Sequence, residues 1–356
     1  MKTLQKYVKH TGAAVVFAFL LLTLLTGCEE KETAEMIEKQ IKEFEASMPV
    51  EKKQLIKSVN LKELNVRTAA IYYSKYDSLV YIADPNGSRI LIFDVDLNYK
   101  TEFGRYGQGP LEFREPAGIL RLRNGKIIVT DLFTQKLKIF DKDLNLVYEK
   151  KFIGGSIDHF LVKSDSNDLI YLNLASSWNK HLFIVINDRG DTIKTFGDEL
   201  IIPKDERKIR PENRVYFDID ENNDIYCAFV NNPLIRKYNN NFQLEYEIKT
   251  DTIPYVKKLY AEWIEERKGK TSSFTYRYYS WGMFVDKNYI YVTFPTSIHA
   301  EGYVHPKIAF DKVTGKIVKI LNFEFDRHSP SLFDNNSGSF IFGINSTGYF
   351  ISKYSK

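Results

Sequence analysis

The segments RILIFDVDLN (89–98) and KLKIFDKDLN (136–145) share the pattern IFD-x-DLN at a step of 47 residues. In both, alternating apolar residues run into a cluster of Asp and Asn. This pattern predicts a β-strand that ends in a tight turn. Because the Phe-Asp turn recurs at the same offset, the chain is built from repeated units.

Similar strand-like runs continue through the chain at steps of 43 to 65 residues. They are SLVYIAD (78–84), GKIIVTD (125–131), DLIYLNL (168–174), DIYCAF (224–229), YIYVTF (289–294) and GYFISK (348–353). Six units of short strands at this period predict an all-β fold, a six-bladed β-propeller. A β-sandwich or barrel is the alternative, but it gives no reason for the turn to recur.

The sixth unit leaves the last blade incomplete. We interpret 348–353 as the second strand of this blade, and the chain ends soon after it, at residue 356. The outer strands of the blade must therefore come from elsewhere. We expect residues 50–68 to complete it, because a closed ring has no unpaired edge between its first and last blades.

One helical insertion interrupts the predicted propeller domain, which spans residues 50–356. In residues 254–270, the apolar positions Val256, Leu259, Tyr260, Trp263 and Ile264 follow helical spacing, and a Lys-Gly pair provides a stop. We expect its Trp and Tyr to pack on the edge of the propeller, with a partner-binding surface as the alternative.

Residues 1–27 have the pattern of a secretory leader, with lysines at 2, 6 and 9 before an apolar run. The sequence LTGC (25–28) resembles the bacterial lipobox, which implies that Cys28 is lipidated and attaches the chain to a membrane. An uncleaved transmembrane anchor is the alternative, although the apolar run is shorter than the ~20 residues that a bilayer requires. Residues 28–49 are then a tether, either helical or a disordered spacer.

The family resemblance rests on the first two units. The sequence FGRYGQGPLEF (103–113), followed by NGKIIVTD and KLKIFD, resembles the NHL repeat, and the whole layout resembles the six-bladed β-propeller lipoproteins of Bacteroidetes. The resemblance implies a palmitate-bearing outer-membrane lipoprotein, a monomer at the cell surface or on the periplasmic side. The acidic residues 29–32 are similar to a surface-export signal.

Charge and motifs exclude several classes of function. Without the leader, 47 basic and 46 acidic residues remain, so the net charge of +1 does not favour nucleic acid as a partner. The sequence contains no nucleophile elbow, P-loop or His-Glu-x-x-His motif. Enzymes that the fold resembles bind Ca²⁺ or Zn²⁺ at the channel mouth, but His159, His299 and His305 do not fall at equivalent positions of the repeats. We therefore predict no cofactor.

Ligand-binding candidates lie where the innermost strands should begin, because polar groups there converge at one end of the channel. Arg105 and Arg114 belong to the glycine-rich junction between blades 1 and 2, where they either pair with acids or face a ligand. The aromatic run 274–284 either stacks on a ligand or fills the interior of blade 5. The candidates are Arg67, Arg105, Arg114, Asp158, His159, Arg214, Tyr279 and Trp281.

The sequence therefore favours a membrane-anchored β-propeller that acts as a binding or scaffold module. Its partner would be a protein, a peptide or a glycan. The competing hypothesis is a metal-dependent hydrolase or lyase at the channel mouth, similar to the lactonases of this fold.

Overall fold

The computed structural model describes residues 33–62, 65–152, 161–175, 180–200, 213–267, 278–296, 305–323, 330–334, 340–345 and 349–355. Within these residues the chain forms six sheets of four or five strands, arranged as the blades of a propeller. Two helices accompany them, α1 (Ala34–Ser47) and α2 (Pro254–Arg267). The six-bladed all-β fold predicted from the repeat is confirmed.

In blades 1 to 4, four consecutive strands pair antiparallel from the inside outward. Blade 1 contains β3 (Ala70–Ser74), β4 (Leu79–Asp84), β5 (Arg89–Asp94) and β6 (Tyr99–Phe103); the short strands β7 (Arg105–Tyr106) and β8 (Glu112–Phe113) follow it. Blade 2 contains β9 (Pro116–Arg121), β10 (Ile127–Asp131), β11 (Lys136–Phe140) and β12 (Leu146–Lys151). Blade 3 contains β13 (Val162–Ser164), β14 (Ile170–Asn173), β15 (His181–Ile186) and β16 (Thr192–Asp198). Blade 4 contains β17 (Val215–Ile219), β18 (Ile225–Phe229), β19 (Leu234–Tyr238) and β20 (Leu244–Lys249).

The N-terminal segment contributes one strand to each of the last two blades. Blade 5 contains β21 (Gly282–Val285), β22 (Tyr289–Thr293), β23 (Lys307–Asp311) and β24 (Ile317–Phe323), with β1 (Val50–Lys53) added parallel to β24. Blade 6 contains β25 (Pro330–Asp334), β26 (Phe340–Asn345), β27 (Phe350–Ser355) and, as its outermost strand, β2 (Leu55–Asn60).

The predicted closure is confirmed, with one correction. Strand β2 pairs antiparallel with β27, Ser58 opposite Ser352, so residues from the expected segment complete blade 6. However, residues 350–353 belong to the third strand of this blade, not the second, and only one outer strand comes from the N-terminal segment. Second and third strands carry the same apolar alternation. In blade 6 the Asp turn after the third strand is missing. The sequence pattern alone therefore could not distinguish the third strand of this blade from the second.

The recurring Phe-Asp turn has a common hydrogen-bonding scheme. In blade 1, Oδ1 of Asp94 accepts from the backbone N–H groups of Asp96 and Asn98, at 3.0 and 2.9 Å. In blade 2, Asp141 accepts in the same way from Asp143 and Asn145. These backbone and side-chain contacts lower the pKa of both carboxyls. The Asp recurs in the repeat because its carboxylate accepts two N–H groups of the turn, in addition to the backbone hydrogen bonds that close it.

The apolar core lies between successive blades. Phe113, from the junction between blades 1 and 2, is fully buried and packs edge-on against Phe103 of blade 1 and Phe140 of blade 2. It fills the gap between these blades. Cys227 of blade 4 is also fully buried, and burial raises the pKa of its thiol to about 12.

Both helices pack against the gap between blades 4 and 5. Ile37 and Ile41 of α1 join Val256 and Leu259 of α2 in one buried cluster that includes residues of both blades. Trp263 of α2 is buried, as expected. Tyr260 is 47% exposed, so the expectation that it packs on the propeller is wrong. Its ring stacks on that of Trp263, with ring centres 6.3 Å apart.

Neither helix in the described part of the chain has the length and apolar character that a membrane span requires.

Candidate functional site

Arg67 and Arg114 occupy equivalent positions, 47 residues apart, just before the first strands of blades 1 and 2. The backbone N–H of Arg67 donates to Oδ1 of Asp84 at 3.3 Å, and that of Arg114 donates to Oδ2 of Asp131 at 2.7 Å. Both aspartates are buried at the ends of second strands. The repeat therefore places the two arginines side by side on one face of the propeller.

A cavity of about 210 Å³ lies between blades 1 and 2 on this face. Its walls come from three kinds of segment: the residues before the first strands, the turns between second and third strands, and the junction loop. The lining residues are Arg67, Pro85, Asn86, Tyr106, Arg114, Glu115 and Phe133. We call this cavity the arginine pocket.

The guanidinium of Arg114 lies between two aromatic rings. Its Cζ is 4.9 Å from the centre of the Phe133 ring and 5.7 Å from that of Tyr106. Such cation–π contacts hold the side chain in place but leave N–H donors free for other partners. Nε of Arg114 is buried and has no hydrogen-bond partner within the described part of the chain, which is unusual for a buried polar atom.

The positive charge of the pocket is not neutralised by ion pairs. Among the described residues, neither Arg67 nor Arg114 forms a salt bridge, and Glu115 is the one acidic residue in the lining. The rings at the rim face solvent, because Tyr106 is 68% and Phe133 62% exposed. The pocket thus combines two available guanidinium groups with apolar rings, an arrangement suited to an anionic group on a larger ligand.

Arg105 plays a different part in the junction loop. Its Nη2 lies 2.9 Å from Oε1 of Glu112. The other carboxylate oxygen of Glu112 accepts from the backbone N–H groups of Gln108 and Gly109. The N–H of Gly109 and the guanidinium of Arg105 lower the pKa of Glu112. Of the two alternatives stated for the arginines, Arg105 pairs with an acid and Arg114 lines a cavity.

The loop also requires a glycine where it leaves blade 1. Gly104 has a φ of +99°, and a Cβ there would lie 2.7 Å from the Phe113 ring. The backbone conformation and the lack of space beside Phe113 therefore both exclude a side chain at position 104. This fixes the path that carries Tyr106 to the rim of the arginine pocket.

The chain as a whole matches a known protein family. Residues 70–337 match the model of DUF5128, described as a 6-bladed beta-propeller. The chain belongs to this family. No curated protein matches it.

Solved structures similar to this DUF5128 propeller show the same fold at low sequence identity. A member of the DUF4221 family from Bacteroides vulgatus is 11% identical, with a TM-score of 0.54 over 85% of this chain and 97% of that one. An exported protein from Bacteroides fragilis is 11% identical, with a TM-score of 0.51 over 86% and 99%. Virginiamycin B lyase from Staphylococcus aureus is 12% identical, with a TM-score of 0.51 over 84% and 98%.

The other candidate residues that the structure describes do not line the arginine pocket. Tyr279 is buried in blade 5, where its N–H donates to the carbonyl of Val230 at 2.7 Å, and Trp281 packs edge-on against His305. Arg214 directly precedes the first strand of blade 4. Phe284 is buried as well, so the described part of the aromatic run mostly fills the blade interior. Cys28, Asp158 and His159 lie outside the described residues.

Within the residues that the structure describes, no group of three or more His, Cys, Asp or Glu side chains is placed to hold a metal ion. His159, His299 and His328 lie outside that part of the chain.

Sequence reasoning missed the rings of Tyr106 and Phe133. A signal for Phe133 does exist, because the repeat places it at the position of Asn86 in blade 1, in the turn between second and third strands. A large aromatic residue at a turn position that holds Asn in the neighbouring repeat is a candidate for binding. Tyr106 carries no such signal, since its position depends on the path of the junction loop.

Proposed function

We propose that this propeller is a lipid-anchored, non-enzymatic binding module whose ligand presents an anionic group to the arginine pocket. The observation that carries the proposal is the pair of arginines, Arg67 and Arg114, with no carboxylate partner among the described residues. Guanidinium groups bind carboxylates, sulfates and phosphates through paired N–H donors. The ligand would be the acidic part of a protein, a peptide or a glycan.

The size of the arginine pocket indicates how much of the ligand enters. About 210 Å³ is below the usual range of pockets that enclose a whole small molecule. The pocket would therefore hold one charged residue of a longer ligand, and the exposed Tyr106 and Phe133 rings would contact the part next to it.

The anchor belongs to the same proposal. The lipobox-like LTGC ends at Cys28, and helix α1 begins six residues later, at Ala34. Acyl chains on Cys28 would hold the propeller close to an outer membrane, at the cell surface or on its periplasmic side. The NHL-like character and the monomeric state are part of the proposal too.

Binding is tested with small acidic probes. We would titrate the protein with glucuronate, with inorganic sulfate and with a peptide that ends in aspartate, using glucose as the neutral control. At least one acidic probe should bind. Arg114→Ala should weaken the binding of that probe about tenfold or more, as expected for the loss of a charged hydrogen bond. Arg105→Ala is the matched control, because Arg105 is paired with Glu112 outside the pocket. Equal binding by Arg114→Ala would refute the proposal.

The anchor is tested separately by Cys28→Ser. The unaltered chain should incorporate labelled palmitate and fractionate with membranes, whereas the variant should do neither. Retention of the variant in the membrane fraction would favour a transmembrane leader instead.

A further inference from the structure

A second cavity, of about 390 Å³, lies in blade 5 and is separate from the arginine pocket. It is formed where β23 begins and β24 ends, beside β1 and the two helices. Its apolar walls include Val50, Ile320 and Phe323, and its polar lining includes His305 and Lys307. We call it the blade 5 cavity. Its volume falls within the range of small-molecule sites.

His305 is a buried side chain whose ring has no polar partner among the described residues. It is 1% exposed, and neither ring nitrogen forms a hydrogen bond to that part of the chain. Trp281 packs edge-on against the imidazole, with ring centres 4.5 Å apart, and offers it an aromatic contact only. Buried polar atoms in native proteins are almost always bonded, so an orphaned imidazole at a cavity indicates that something else occupies the space.

Lys307 brings an amine to the same cavity. Its Nζ donates to the carbonyl of His305 at 2.9 Å and lies 5.2 Å from the centre of the Phe323 ring. Burial lowers the pKa of Lys307 to about 7, and burial next to Lys307 lowers that of His305 to about 4. The other titratable groups at the cavity are Glu45 of α1 and Tyr255 of α2, which are hydrogen-bonded to each other.

We propose that the blade 5 cavity binds a small carboxylic acid with an apolar body. The carboxylate would pair with the amine of Lys307 and accept a hydrogen bond from the imidazole of His305. The apolar body would contact Val50, Ile320 and Phe323. This inference goes beyond the proposed function and does not depend on the arginine pocket.

The physical argument is one of charge compensation. A charged amine in an apolar site is costly by itself, and pairing with a carboxylate offsets that cost. Above neutral pH the amine of Lys307 is largely uncharged before the ligand binds, while the acid in solution is ionised. Binding must then take up one proton from solution, and this proton completes the ion pair.

Hexanoate is the probe for a calorimetric titration of the full chain. At pH 8, in two buffers with different ionisation enthalpies, we expect one site and the uptake of about one proton per ligand. The Kd should rise about tenfold for each pH unit above 7, because one proton is linked to binding. Lys307→Met should weaken binding at least tenfold and abolish proton uptake. This variant should fold, since it replaces a buried amine by an apolar side chain of similar length.

Controls separate this site from other sources of binding. Lys194→Met changes an exposed lysine on β16 and should leave the hexanoate titration unchanged. Hexanol, which has the chain but no carboxylate, should show no proton uptake. The inference is overturned if hexanoate does not bind, if it binds without proton uptake, or if Lys307→Met binds it equally well. It is also overturned if Arg114→Ala removes the binding, because the carboxylate then occupies the arginine pocket.

Discussion

Arg114 and Arg105 lie nine residues apart in one loop and differ in what surrounds them. Arg105 is 81% exposed at its side chain and paired with Glu112. Arg114 is held between two rings, and its Nε is buried. The sequence named both residues as candidates but left their directions open. The direction of each side chain depends on the backbone path at Gly104 and on the rings of Tyr106 and Phe133, so only the folded loop distinguishes the two arginines.

At the residue scale, Lys307 predicts a pH dependence of stability. Burial lowers its pKa in the folded state from 10.5 to about 7. Between these values the unfolded chain binds more protons than the folded one, so the buried amine destabilises the fold most below pH 7, and this penalty shrinks as pH rises towards 10.5. Lys307→Met should therefore be more stable than the unaltered protein at pH 6, and its advantage should shrink by about 3 kcal/mol by pH 9.

Urea unfolding at pH 6 and pH 9 measures this difference. Lys194→Met, at an exposed position, controls for the general effect of removing a positive charge. A stability difference between Lys307→Met and the unaltered protein that is the same at both pH values would contradict the prediction.

At the scale of elements, helix α1 shows where local patterns stop being informative. The sequence left residues 28–49 as either a helix or a disordered spacer, because an isolated helix of this length is marginal in water. In the structure the side chain of Thr33 caps the helix by accepting from the N–H of Met36. Packing of Ile37 and Ile41 into the cluster with α2 provides the missing stabilisation. An ion pair between Glu38 and Lys258, at 2.6 Å, lies beside it.

Helix α1 should therefore undock when its buried side is truncated. Ile41→Ala removes a side chain that is 7% exposed and should weaken docking by about 2–4 kcal/mol. Hydrogen exchange of the α1 amides should accelerate, while that of the blade strands should not change. Lys42→Ala, on the exposed side of the helix, is the control. Unchanged protection of α1 in Ile41→Ala would show that the helix does not depend on this contact.

At the scale of the whole molecule, blade 6 is assembled from both ends of the described chain. Strand β2 pairs with β27 across nearly three hundred residues, while β1 extends blade 5. Closure of this kind gives the last blade its fourth strand and covers the edge of β27. Along the chain, the proposed anchor is followed by helix α1, then by β1 in blade 5 and β2 in blade 6.

A pair of truncations tests closure. A chain beginning at Lys62 lacks β2 and should unfold about 5–10 °C lower, with aggregation through the exposed β27 edge. A chain beginning at Gln54 loses α1 and β1 but keeps β2, and it should remain monomeric. Thermal unfolding with light scattering compares the two. Equal melting and equal scattering would mean that β2 is dispensable.

The sequence by itself determined the repeat, the number of blades, the Phe-Asp turns, the helix at 254–267 and the closing segment, because strand alternation and turn chemistry are local. Tertiary structure decided which strand of blade 6 each segment forms, where α1 docks, and that Arg67 and Arg114 share a pocket with Phe133 and Tyr106. These outcomes depend on contacts between blades and on the path of one junction loop. The energies that select them come from packing between residues far apart in sequence, which no local pattern contains.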